Sequence, residues 1–180
     1  MVIKSKTIEG KNLAWLLRSP TKDDAAELSK LRVKIDGETE NLDREFGEGL
    51  LTREDFEELI HEDSKAEKNI FLIAEVDGKI VGFSRLEGNN LSRFRHKAEF
   101  GICILKEYWG FGMGKILIEN ILEFAKSADI KKVSLYVVET NTKAIELYKK
   151  YGFVEEGILK KDRIHKDGHY YNTVVMAKFL

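Results

Sequence analysis

Apolar and polar positions along the chain follow two different periods, and the switches between them predict its elements. Leu13-Ala14-Trp15-Leu16-Leu17-Arg18 reads as a short strand ahead of the single proline, Pro20. Thr21, with Asp24 three residues on, resembles a capping box that opens a helix through about Ile35. Thr52 and Asp55 repeat that signature, and Phe56, Leu59 and Ile60 supply the apolar stripe of a second helix. Between the two, residues 36–51 carry Gly37, Gly47 and Gly49 and read as a loop. Two strand-like runs, residues 70–76 and 80–86, flank Asp77-Gly78, a strong hairpin signal. Ala98, Phe100, Ile102 and Ile104 then alternate with Glu99, Gly101 and Cys103, which is the period of a strand. That strand leads through Leu105-Lys106-Glu107-Tyr108-Trp109 into Gly110-Phe111-Gly112-Met113-Gly114-Lys115.

A helix follows, with Leu117, Ile121, Phe124 and Ala125 at helical spacing, and residues 133–138 read as the next strand. Residues 141–151 read as a helix stopped by Gly152, and two last strands flank Asp167-Gly168. The predicted order, β-α-α-β-β-β-α-β-α-β-β, is that of an α+β or mixed α/β fold in one domain spanning residues 1–180.

Composition narrows the function classes. Hydrophobic residues make up 43% and charged residues 34% of the 180, enough for a sizeable core under a solvated surface. Thirty basic residues against thirty-one acidic leave a formal charge of -1, so neither nucleic acid nor an anionic membrane is expected as a partner. One cysteine excludes an internal disulfide framework and fits a reducing compartment. No apolar run approaches the roughly 20 residues that span a bilayer, and the first residues lack a signal-peptide pattern. A cytoplasmic protein is expected. His61, His96, His165 and His169 form no recognised ligand spacing, so no metal is expected.

The glycine-rich turn between strand and helix is a device for phosphate, because backbone N–H groups approach the anion and the helix N-terminus adds partial positive charge. It is not a Walker loop, since Lys115 is followed by Ile116. Nor is it a dinucleotide fingerprint, since it reads G-x-G-x-G. With the strand Glu99-Phe100-Gly101-Ile102-Cys103-Ile104 before it, the turn is similar to the main cofactor-binding motif of the GNAT superfamily of acetyl-CoA-dependent N-acetyltransferases. Asn141-Thr142-Lys143-Ala144-Ile145-Glu146-Leu147-Tyr148-Lys149-Lys150-Tyr151-Gly152-Phe153 resembles the second motif of that family, N-x-x-A-x-x-L-Y-x-x-x-G-F. The resemblance covers about residues 13–179. It implies a central twisted, mostly antiparallel sheet flanked by helices, with a splayed pair of middle strands.

The resemblance also assigns roles. The main chain of Ile102, Cys103 and Ile104 would meet the pantetheine arm of acetyl-CoA, and the amides of Gly110, Phe111, Gly112, Met113, Gly114 and Lys115 its diphosphate. Trp109 stands where the family commonly has Arg or Gln, so a side-chain phosphate contact is lost there; Lys115 is a partial substitute, and Trp109 also reads as a packing residue. Tyr148 would protonate the leaving thiolate and Asn141 would hydrogen-bond the cofactor. A core aromatic and a helix N-cap are the plainer readings of those two residues. Glu99 is the leading candidate for the base that deprotonates the amine, with His96 the runner-up. Equally, a glutamate on a strand is often an exposed or paired charge. Cys103 reads as inert packing rather than as an acyl carrier, so direct transfer in a ternary complex is expected.

The implied acceptor is a primary amine on a small molecule or peptide. Residues 36–63 hold twelve Asp and Glu against Arg44 and Arg53, which points either to a cationic acceptor (a polyamine, an aminoglycoside or a peptide N-terminus) or to a solvated surface. Tyr170, Tyr171 and Asn172 would border the same site. The alternative function is a CoA-binding sensor or assembly module without catalysis. A homodimer is common in folds of this kind, and nothing in the sequence establishes one.

Overall fold

The computed structural model describes residues 2–10 and 12–180. Its strands are β1 (Lys6–Glu9), β2 (Ala14–Arg18), β3 (Ile70–Val76), β4 (Lys79–Gly88), β5 (Lys97–Ile104), β6 (Lys132–Val138), β7 (Val154–Ile164) and β8 (Tyr170–Phe179). The helices are α1 (Ala25–Glu38), α2 (Arg53–Lys65), α3 (Met113–Ser127) and α4 (Thr142–Lys150). The described strands form one sheet in the order β1-β2-β3-β4-β5-β6-β8-β7.

Local chemistry explains most of the boundaries. Both capping boxes form. The one at Thr21 opens a short 3-10 turn, Lys22–Asp24, that runs into α1, and the one at Thr52 opens α2. In the β3–β4 turn, Asp77 and Gly78 take φ of 48° and 75°, the paired left-handed conformation that matches the twist of the flanking strands.

Two features differ from the expected order. Strand β1 was not predicted; it is a four-residue edge strand, mostly exposed, with no alternation to betray it. Helix α1 continues past Ile35 to Glu38 and takes Gly37 into its last turn. There the following loop folds back onto the helix, so that a Cβ on Gly37 would lie 2.8 Å from the Phe46 ring.

Strand β3 is buried along nearly its whole length, as a strand covered on both faces must be. On one face α2 sets Phe56 edge-on to Phe83 of β4, with ring centroids 6.3 Å apart. On the other, Phe100 of β5 meets Tyr148 of α4 at 6.3 Å, and α3 buries Leu117, Ile118 and Ile121. Among the described strands, each neighbouring pair is antiparallel except β5–β6. That parallel pair holds together only from Lys97 to Glu99, opposite Lys132 to Ser134. Beyond Glu99 the two strands part, although β5 runs on to Ile104 and β6 to Val138. The mostly antiparallel sheet therefore carries a splay in its middle. No helix among the described residues is long and apolar enough to cross a membrane.

Candidate functional site

A strand that leaves its neighbour exposes main-chain groups that need partners. Which groups these are follows from register. The Leu105 amide donates to the Val81 carbonyl at 2.9 Å, so residues 105, 103 and 101 turn their main chain towards β4. By alternation, Phe100, Ile102 and Ile104 turn theirs into the gap. Cys103, expected among the free groups, is thus turned the other way by the pleat, and Phe100, which was not expected, joins the set. The Ile104 carbonyl already has a partner, since the Trp109 indole donates to it at 2.8 Å. Trp109 is 42% exposed, so it clamps the end of β5 rather than filling a core.

The glycine turn lies at that end of the gap. Gly110 and Gly112 have φ of 88° and 84°, and Gly112 is the N-cap of α3 with no side chain to cap it. Among the described residues, the amides of Gly110 and of Gly112 to Lys115 have no acceptor, while the turn at Trp109 and Gly110 closes on the Phe111 amide. The free amides form a row of donors at a helix N-terminus, the arrangement that suits a diphosphate. A Cβ on Gly114 would touch Leu147 of α4 at 3.6 Å and Ile102 and Ile104 at 3.9 Å, which places the start of α3 against the gap. Met113 is buried, and Lys115 points outward with its Nζ 3.9 Å from Glu119.

Where the strands part, a cleft of about 840 Å³ opens and reaches both faces of the sheet. Phe100, Ile102, Asn141 and Tyr148 line it on the α3–α4 side, and Phe83, Glu87, Glu99, Gly101 and Cys103 on the α1–α2 side. Its outer wall is the loop after α1, strapped to β7 and the turn that follows it by three contacts. Lys166 donates its amide to Glu40 at 2.7 Å, Arg163 pairs with Asp43 at 2.9 Å, and Arg163 also reaches the Leu42 carbonyl at 3.4 Å.

The candidate catalytic groups sit in contrasting settings. Tyr148 is buried, its ring held between Phe100 and Phe153, and among the described residues its hydroxyl has no hydrogen-bond partner. Burial pushes that hydroxyl up to about 12, so it keeps its proton at neutral pH. Asn141 is the N-cap of α4, its Oδ1 accepting from the Ala144 amide at 3.4 Å, and it also lines the cleft. The cap role occupies only its oxygen. Glu99 is raised above the ordinary glutamate range, first by burial and then by the charges of Glu87 and Asp43. Burial also pushes the Cys103 thiol up to about 12, so it is not a thiolate nucleophile at neutral pH.

Other expected residues are not brought in. His96 is exposed at the start of β5, its carbonyl holding the Lys131 and Lys132 amides, and it does not line the cleft. The acidic stretch divides: Asp36, Glu40, Asp43, Glu45 and Glu48 line the cleft, whereas the acids of α2 do not. Asp63, for example, is buried against Arg85. Tyr171 stacks on His165 with centroids 4.1 Å apart, while Tyr170 is exposed and Asn172 is tied to Glu139. Among the described residues no group of three or more His, Cys, Asp or Glu could hold a metal. Arg32, His165 and Thr173 line the cleft without having been anticipated, since only the fold brings them there.

Comparison with known proteins fits this geometry. Residues 37–153 match the acetyltransferase (GNAT) family profile. The L-amino acid N-acetyltransferase AaaT of Escherichia coli (strain K12) is 32% identical over 108 residues, which cover 59% of this chain and 66% of that protein. A spermidine N(1)-acetyltransferase of Vibrio cholerae is 33% identical over 143 residues, covering 75% of this chain and 80% of its own length. Among solved structures, a GNAT-family acetyltransferase from Streptococcus pneumoniae superposes with a TM-score of 0.88 at 30% identity, over 92% of this chain and 99% of that one. The matched segments span from under half to four fifths of the length of the relatives first found.

Proposed function

The chain belongs to the GNAT acetyltransferase family, and on that premise we propose that it transfers an acetyl group from acetyl-CoA to a primary amine. The observation that carries the reading is the β5–β6 splay, with the amides of the glycine turn at its open end and Glu99, Asn141 and Tyr148 lining the cleft. The amides receive the diphosphate, and the main chain of Phe100 and Ile102 receives the pantetheine arm. The thioester then lies between Tyr148 and Glu99. An alkylammonium has a pKa near ~10 and must lose its proton before it can attack. Glu99, raised towards neutrality by its surroundings, takes that proton directly or through water.

The amine nitrogen bonds to the thioester carbonyl carbon, and a main-chain amide of the gap stabilises the resulting oxyanion. Collapse breaks the carbon–sulfur bond, the thiolate takes the proton of Tyr148, and the second proton shed by the new amide nitrogen returns to the tyrosinate, directly or through water. Cys103, protonated and turned towards β4, has no part, so transfer is direct within the ternary complex.

The acceptor is read as a cationic amine. Asp36, Glu40, Asp43, Glu45, Glu48, Glu87 and Glu99 line the cleft, and the similarity to a spermidine acetyltransferase supports that choice over an uncharged amine. Thiol release from acetyl-CoA across a panel of amines tests the proposal. It predicts release that depends on the amine and is faster for cationic acceptors. Saturable acetyl-CoA binding with no release for any amine would leave a CoA-binding module instead.

A further inference from the structure

Two buried atoms in the cleft wall lack a hydrogen-bond partner among the described residues: Asp36 Oδ1 and His165 Nε2. Their side chains are 3% and 9% exposed. They come from different elements, the end of α1 and the segment that follows β7, and both line the cleft that the loop after α1, tied to that segment, walls off. Asp36 Oδ2 accepts from Arg32 Nε at 2.9 Å, and Oδ1 has no hydrogen-bond partner among the described residues. His165 lies flat on Tyr171, and its Nδ1 is 3.9 Å from Glu40 Oε2. A neutral ring with its proton on Nδ1, the nitrogen nearer that carboxylate, would leave the lone pair on Nε2. In that tautomer both orphaned atoms accept, and both call for an N–H donor.

We propose that Asp36 Oδ1 and His165 Nε2 receive N–H groups of the acceptor remote from its reacting amine, so that the cleft selects a linear diamine or polyamine over a monoamine. The proposal rests on the acetyl-transfer reading and deepens it, by naming the residues that read the far end of the acceptor. The cations around the cleft leave room for this. Arg32 is paired with Asp36, Arg163 with Asp43, and Arg85 with Asp63 and Glu87. Arg44 and Lys166, which line the cleft without an ion-pair partner among the described residues, are the groups that would favour a carboxylate at the far end instead. The two acceptor atoms are more deeply buried than either side chain. Burial pushes the Asp36 carboxyl up against the opposing pull of Arg32 and Arg44, and an ammonium at Oδ1 would supply the charge that its surroundings lack.

Three ligands of equal length separate the cases: butylamine, diaminobutane and γ-aminobutyrate, which end in a methyl, an ammonium and a carboxylate. Calorimetric titration of each into the CoA-saturated protein is expected to give diaminobutane at least about tenfold tighter binding than the other two. Asp36→Asn, and separately His165→Phe, which keeps the ring stacked on Tyr171, are each expected to weaken diaminobutane about tenfold. Neither is expected to change CoA affinity, and the binding of butylamine, which lacks the second ammonium, is expected to weaken far less than that of diaminobutane. Equal weakening of all ligands, unaltered diaminobutane binding in both variants, or preferred γ-aminobutyrate would overturn the proposal. The two variants lie on separate elements, so misfolding of one leaves the other to decide. Selective diamine binding without any thiol release would uphold these recognition atoms while overturning the transfer chemistry.

Discussion

Glu99 on β5 stands directly opposite Glu87 on β4, a like-charge pair at facing positions of an antiparallel ladder. Such a placement is unfavourable for a sheet and is tolerated where it serves a purpose. Here it adds to burial in raising the Glu99 carboxyl, with Asp43 contributing from the loop. A base acts when ionised, so the acid limb of the kcat/KM profile should lie above the ordinary carboxylate range near ~4.3. Glu87→Gln removes one of the repelling charges, so the limb should move to lower pH. Glu99→Gln should abolish the limb and lower kcat/KM by about a hundredfold or more. An unchanged profile in Glu99→Gln would remove Glu99 as the base.

Tyr148→Phe keeps the ring contacts with Phe100 and Phe153 and removes only a hydroxyl without a protein partner. Stability should therefore change little. Turnover should fall by about a hundredfold, the usual scale for a lost general acid, while acetyl-CoA affinity stays within about threefold. Because burial holds that hydroxyl up at about 12, the wild-type kcat should not fall from its ionisation at pH values up to about 10. Stopped-flow thiol release and calorimetry together give the split between kcat and affinity.

A stability test far from the cleft concerns Asp24. Arg18 grips its two oxygens at 2.7 and 2.8 Å and also reaches Glu75 at 2.9 Å, tying β2, β3 and the start of α1 together. Burial alone would raise Asp24, but the hydrogen bonds from Arg18 and Thr21 outweigh it and hold the carboxyl below its ordinary value. A lowered folded-state pKa contributes stability that is fully present above the unfolded value, near ~3.9, and is lost as pH falls through the folded value. Asp24→Asn should cost about 1–3 kcal/mol at neutral pH and flatten the acid side of the stability curve. Urea unfolding at several pH values between neutrality and acid would reveal both effects.

Much of this architecture was legible because its rules are local. Thr21 and Thr52 announce helices through a three-residue spacing, Asp77-Gly78 announces a hairpin through two positive φ angles, and Gly152 ends α4 for the same reason. Strand β1 carries no such mark, since its only signature is its pairing with β2. The return of Phe46 onto Gly37 in the last turn of α1 is a contact that periodicity does not encode. At the site, the alternation of β5 predicted which side chains share a face. Which main-chain groups stay free depended on the phase of hydrogen bonding to β4, set by the bond between Leu105 and Val81. Asp36 and His165 lie far apart in sequence, and no motif links them before the loop after α1 closes against β7.

The central claim is that the amides at the mouth of α3 grip a diphosphate while the splayed edge of β5 holds the arm beyond it. Amide-resolved NMR of the isotope-labelled protein titrated with CoA tests it most directly. The account predicts that the amides of residues 110–115 shift saturably and together with those of Phe100 and Ile102, while β1 and α2 stay still. Saturable shifts confined to another surface, or no shifts at millimolar CoA, would contradict it.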